Sequence, residues 1–136
     1  MGKTLIILRS CSGNGKSKFS EFLQNLYSQA VIVCADDYQF EDGVYKFDVK
    51  KLGFAHKSCQ VKFDKALDDK VELIIVANTN TKFQDFKYYL DKGQQAGYTV
   101  HVMILEHYHK GENSHNVPEE TLLRQQNNII NSMRLL

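Results

Sequence analysis

The chain has 136 residues, 43% of them apolar and 24% charged, with a formal net charge of +1. That length suits one domain, over 1–136, with a single core. The near-zero charge argues against a grip on long nucleic acid, which needs a strong basic excess, and no apolar run reaches membrane-spanning length. Among 17 basic residues only Arg9, Arg124 and Arg134 are arginine, the planar fork that best suits phosphate. Cys11, Cys34 and Cys59 form no C-x-x-C pair and read as reduced thiols. Met1-Gly2-Lys3 runs almost directly into the first apolar stretch, leaving no room for a signal peptide. The expected compartment is the cytoplasm, with no membrane partner.

Leu5-Ile6-Ile7-Leu8 predicts a short buried strand. A small-residue loop, Ser10 to Gly15, follows. Phe19, Phe22, Leu23 and Leu26 then recur at helical spacing. Strand, glycine loop, Lys16-Ser17 and helix are the parts of a phosphate-binding P-loop. Gly13 and Gly15 let main-chain amides turn inward, and the helix start offers unpaired N–H groups to an anion. Lys16 is placed to reach β- and γ-phosphates, and Ser17 to offer a hydroxyl to Mg²⁺. The nucleotide-binding set is Ser12, Gly13, Asn14, Gly15, Lys16, Ser17 and Lys18. Ser10 stands where the eight-residue pattern has its first glycine, a position that mainly closes the turn.

Val31 to Cys34 predicts a second strand. The acidic pair Asp36-Asp37 then falls at the carboxyl edge of the sheet, where open α/β folds bind ligands. Asp36 is a candidate general base or metal-water ligand; the alternative is that either residue caps the next segment. Residues 39–47 read as a loop whose aromatics, Phe40, Tyr45 and Phe47, line a pocket or pack locally. Asp48 is the expected N-cap of a helix burying Leu52, Ala55, Cys59, Phe63, Ala66 and Leu67. His56 falls on that face and reads as a packing residue.

Val71 to Ala77 predicts a third strand, ending in the polar cluster Asn78-Thr79-Asn80-Thr81. Such side chains orient a substrate, a water or a neighbouring acid, or serve as turn chemistry. Phe83, Phe86, Tyr89 and Leu90 mark a third helix ending at Gly93 or Gly97, and Tyr98 to Leu105 a fourth strand. Residues 106–117 are polar and read as a lid. Their His107, His109 and His115 lack the fixed spacing of a zinc site. From Pro118 to about Met133 a last helix buries Leu122, Leu123, Ile129 and Ile130. Helices between strands imply a parallel sheet of about four strands.

Five stretches in order, SCSGNGKS, ADDYQF, YKFDVKKLGFAHKSCQ, VANTNT and GENSHNVP, resemble the polynucleotide-kinase-like P-loop kinases. The resemblance implies a three-layer α/β P-loop NTPase fold and an ATP- and Mg²⁺-dependent transfer of phosphate to a hydroxyl. The acceptor would be a short nucleic-acid 5′ end, a nucleotide or nucleoside, another small molecule, or a modified DNA base. Lys16 and Ser17 match the ATP and Mg²⁺ residues, and Asp36 matches the proton acceptor. Asp37, Tyr38, Asn78, Thr79 and Asn80 fall in the substrate region, and His115, Val117 and Pro118 at the end of the lid. Two departures stand out. Ala77 and Asn78 occupy the strand end where relatives carry Asp, and Glu112 precedes Asn113 where they carry Arg, with Lys110 the nearest cation. A nucleotide-binding module with weakened catalysis, acting through a protein partner, is the second expectation. Neither ATP over GTP nor the acceptor follows from the residues.

Overall fold

The computed structural model describes residues 2–108 and 117–135. Strand β1 is Thr4–Arg9, helix α1 Lys16–Leu26, and strand β2 Val31–Val33. A two-stranded hairpin, β3 (Phe40–Glu41) and β4 (Val44–Tyr45), precedes helix α2 (Leu52–Asp68). Then come β5 (Leu73–Val76), α3 (Phe83–Gln95), β6 (Thr99–Ile104) and α4 (Glu119–Asn131). The main sheet has the order β2-β5-β1-β6. All its pairings are parallel, with Ile6 opposite Ile75 on one side and Ile7 opposite Val102 on the other.

The strands read as unbroken apolar runs because both faces of the sheet are covered. Leu5, Ile7, Ile74 and Val76 face Cys59, Phe63 and Ala66 of α2 and Phe86 and Tyr89 of α3. Leu8 and Ile75 face the other way, onto Phe19 and Leu23 of α1. Phe63 meets Tyr89 edge-on, with ring centroids 4.9 Å apart, a geometry that adds about 1 kcal/mol to the burial itself. The crossover from β1 leads to β2 at one edge, while that from β5 passes β1 to β6 at the other, so the carboxyl end of β1 opens a crevice, the ligand position of such sheets.

Several expectations change. Residues 39–47 form a hairpin, not a loop: Asp42 and Gly43 both take positive φ, 53° and 79°, the two-residue turn whose twist matches paired strands. Gln39 pins its base, its carbonyl accepting from the Lys46 amide at 2.8 Å and its side chain from the Asp48 amide at 3.1 Å. Gly93 does not end α3. A Cβ there would lie 2.5 Å from Leu5 Cδ2, so Gly93 is what lets α3 lie close on β1, and the helix stops just before Gly97 (φ 83°). In α4 only Ile129 is fully buried, while Leu123 and Ile130 are more than half exposed. The contact stripe is instead Thr121, Leu122, Gln125, Asn128, Ile129 and Ser132, at helical spacing but largely polar.

Arg9 explains that stripe. It is 2% exposed and stacks over the Phe86 ring. Its guanidinium donates to the Asn80 carbonyl (2.8 Å), the Thr81 carbonyl (3.1 Å) and the Ser132 hydroxyl. One side chain thus joins the end of β1, the turn after β5 and the end of α4. Burial lowers its pKa, with Asp85 pulling the other way.

Candidate nucleotide and acceptor cleft

The chain between β1 and α1 folds as a nest. Gly13 and Gly15 adopt φ of 83° and 87°, the left-handed region open to glycine, and α1 starts directly after at Lys16. Among the described residues the amides of Gly13, Gly15, Lys16, Ser17 and Lys18 have no hydrogen-bond partner. Free main-chain donors at a helix start fit an anion. The nest is braced on three sides. Ser10 N–H donates to the Thr79 carbonyl at 3.1 Å, Asn14 Nδ2 to the Leu105 carbonyl at 3.4 Å, and Ser12 N–H to Gln125 Oε1 at 2.9 Å.

Lys16 folds back on this nest, its Nζ donating to Ser10 Oγ (3.1 Å) and the Cys11 carbonyl (3.4 Å). Ser10 therefore does more than close the turn: its hydroxyl holds the lysine. Burial lowers the Lys16 pKa, and the Asp36 carboxylate partly offsets that. Asp36 itself lies in a 3₁₀ turn, Ala35–Tyr38, directly after β2. The turn is fixed by Asn78, whose Oδ1 accepts the Ala35 amide at 2.7 Å. The Tyr45 hydroxyl donates to Asp36 Oδ1 at 3.4 Å, and burial with that carboxylate pushes its pKa up to about 12.

One cleft of about 1030 Å³ gathers Ser12, Gly13, Gly15, Lys16, Ser17 and Lys18 with Asp36, Asn78, Thr79, Val117 and Pro118. A drug-sized ligand fills about 300–1000 Å³, so this one has room for a nucleotide and an acceptor together. Beyond Asp36 it is walled by Tyr45 and Phe47 of the hairpin region and by Leu52, Ala55 and His56 at the start of α2. His56 is thus not a packing residue: it is exposed and faces the cleft, while Ala55 and Cys59 fill the core positions on either side of it.

Other expected site residues lie elsewhere. Asn14 is absent from the cleft wall and spends its side chain on the Leu105 carbonyl, just after β6. Tyr38 packs against the core and edge-on to Phe54. Asn80 is buried at φ 49° and its Nδ2 donates to the Leu8 carbonyl at 2.8 Å, so its role is structural. Asp37 turns into a neighbouring groove of about 440 Å³, lined also by Ser17, Glu21, Cys34 and Lys62. Burial raises its pKa while Lys62 draws it down. His109, Lys110, Glu112, Asn113 and His115 lie outside the described residues. Arg124 and Gln125 were missed as cleft residues, because their place depends on how α4 docks.

No group of three or more His, Cys, Asp or Glu able to hold a metal exists among the described residues. The oxygens at hand are the Ser17 hydroxyl and the carboxylates of Asp36 and Asp37. These suit Mg²⁺, which takes one or two protein oxygens and completes its shell with phosphates and water. The three cysteines are unpaired, and burial keeps the Cys34 thiol protonated up to about 11. No helix among the described residues is long and apolar enough to cross a membrane.

This nest, parallel sheet and helical cover define the fold of the P-loop kinases. No family model matches the chain. It is 38% identical over 100 residues to NEDD4-binding protein 2 of Homo sapiens, a stretch that is 74% of this chain and 6% of that protein. The chain therefore spans only a small part of that relative. Among solved structures it superposes on a chain of the Pnkp1/Rnl/Hen1 complex with a TM-score of 0.61 at 20% identity, over 90% of this chain and 38% of that one. It superposes on the APS kinase CysC of Mycobacterium tuberculosis with a TM-score of 0.57 at 12% identity, over 96% and 99%. The resemblance to polynucleotide-kinase-like P-loop kinases holds in the fold.

Proposed function

We propose that this protein is a phosphotransferase that moves the γ-phosphoryl group of ATP, or of GTP, to a hydroxyl. The observation that carries this reading is that Lys16 and Asp36 line one cleft together with free main-chain amides of the glycine nest. In it, the amides of Gly13 and of 15–18, with the Lys16 side chain, hold the β- and γ-phosphates, and Ser17 holds Mg²⁺. The ion, when bound, neutralises charge on the phosphate oxygens. Asp36 accepts the proton of the acceptor hydroxyl as its oxygen bonds to the γ-phosphorus and the bond to the β-phosphate oxygen breaks. Positioning and charge stabilisation supply most of the acceleration.

The acceptor end favours a nucleotide, a nucleoside or a short nucleic-acid 5′ end. Tyr45 and Phe47 offer ring faces to a base, and His56 offers a nitrogen to its sugar or phosphate. A second reading has its own support. Asn78 replaces a strand-end carboxylate and its Oδ1 is already committed to the Ala35 amide, so it organises no metal-bound water. On that reading the chain binds nucleotide and acts through a protein partner.

Labelled ATP offered with 5′-hydroxyl DNA, 5′-hydroxyl RNA, nucleoside 3′-phosphates, nucleosides and simple sugars separates the two. Transfer to the nucleotide-like acceptors, and little to the sugars, is expected. ATP binding without transfer to any acceptor supports the partner-dependent module instead.

A further inference from the structure

The three arginines go to three different ends. Arg9 is consumed in the core by the Asn80 and Thr81 carbonyls and Ser132. Arg134 is exposed beyond the end of α4. Arg124 is exposed on α4 and lines the cleft beside Ser12, Gly13 and Thr121. Among the described residues it has no ion pair or hydrogen bond.

Its position is set by its neighbours. Gln125 clasps Ser12 at two points: Oε1 accepts the Ser12 amide at 2.9 Å, and Nε2 donates to Ser12 Oγ at 3.2 Å. The Cys11 thiol donates to the Leu122 carbonyl at 3.7 Å. Two successive residues of the nest are therefore fastened to α4 on either side of Arg124, which holds that residue's backbone fixed relative to the phosphate-binding amides. A triphosphate brings several negative charges to a cleft where the half-buried Lys16 already folds back onto Ser10 and Cys11. A guanidinium supplies two parallel donors to one phosphate, which an ammonium cannot.

We infer that Arg124 grips the terminal phosphates of the bound nucleotide from α4, the task for which residues 106–117 supply no arginine. This rests on the phosphotransferase reading to the extent that the cleft must take a nucleoside triphosphate.

Titration calorimetry with ATP, ADP, AMP and adenosine in the presence of Mg²⁺ tests it, on wild type, Arg124→Gln, Arg124→Lys and Arg134→Gln. Arg124→Gln should weaken ATP about 10–100-fold, the range for a lost charge-assisted pair, ADP less, and AMP and adenosine not at all. Arg124→Lys should recover part of the loss, and Arg134→Gln should match wild type. Equal weakening of AMP and adenosine would place the guanidinium on the base and overturn the proposal, as would no weakening of ATP. If wild type itself binds no ATP, the underlying reading falls and this falls with it. Thermal melts of each variant confirm that it is folded.

Discussion

Replacing Asp36 with asparagine should slow phosphoryl transfer by about 10²–10⁴-fold, the contribution typical of a positioned general base, while affinity for ATP with Mg²⁺ stays within a few-fold of wild type. The two side chains have nearly the same size, so the cleft keeps its shape. The amide oxygen can still accept the Tyr45 hydroxyl that now reaches Asp36 Oδ1 at 3.4 Å. The bond from the Ala35 amide to Asn78 Oδ1, which sets the direction of the 35–38 turn, does not involve the carboxylate. What disappears is the ability to take a proton. Single-turnover transfer of labelled phosphate reads this step directly. A rate close to wild type would remove Asp36 from the chemistry and leave it as a charge partner of Lys16.

The second large effect is on stability. Arg9→Met keeps the bulk and the contact with Phe86 but removes every donor. The Asn80 carbonyl, now bonded at 2.8 Å, is left buried and unpaired. The Thr81 carbonyl keeps only the Ser132 hydroxyl at 3.2 Å. The unpaired carbonyl costs about 1–3 kcal/mol and the lost bonds to Thr81 and Ser132 add about 1 kcal/mol more, so a loss of about 2–4 kcal/mol is expected. Urea unfolding should show a lower midpoint at unchanged slope. Because Arg9 also docks the end of α4, the Gln125–Ser12 clasp should loosen, and nucleotide affinity should fall alongside stability. An unchanged midpoint would mean that the guanidinium is dispensable to the junction of β1, the 80–81 turn and α4.

The parts of this site that were legible in the sequence are those made by adjacent residues. The nest depends on Gly13, Gly15, Lys16 and Ser17 in one local turn between a strand and a helix, so spacing alone carries it. The sheet was legible for a related reason. Runs such as Leu73–Val76, covered on both faces, alternate between two helical layers yet read as continuous apolar stretches. What escaped depends on residues distant in the chain. Arg9 carried no assigned place, because nothing local says that residues 80, 81 and 132 surround it. Asn80 looked like a substrate contact, but its positive φ and its bond to Leu8 are set by the strand next to it. His56 shares the apolar spacing of α2, yet near the start of that helix this face lines the cleft and leaves the residue exposed. The stripe of α4 was misread because its partners are polar, the nest at one end and Arg9 with the Thr81 carbonyl at the other. The hairpin is the one local feature missed: Asp42-Gly43 is a strong turn signal, obscured by strands of only two residues each.

Calorimetric titration of ATP with Mg²⁺ into wild type and Lys16→Ala bears most directly on whether residues 10–17 hold a polyphosphate. Wild type should bind one nucleotide saturably and melt at a higher temperature with ligand present. Lys16→Ala should bind about 10–100-fold more weakly, in line with the loss of a charge-assisted contact. Its melting temperature without ligand should equal or exceed that of wild type, since burial already disfavours the lysine's charge in the free protein. Wild type giving no heat, or the two proteins giving superimposable isotherms, would contradict the account.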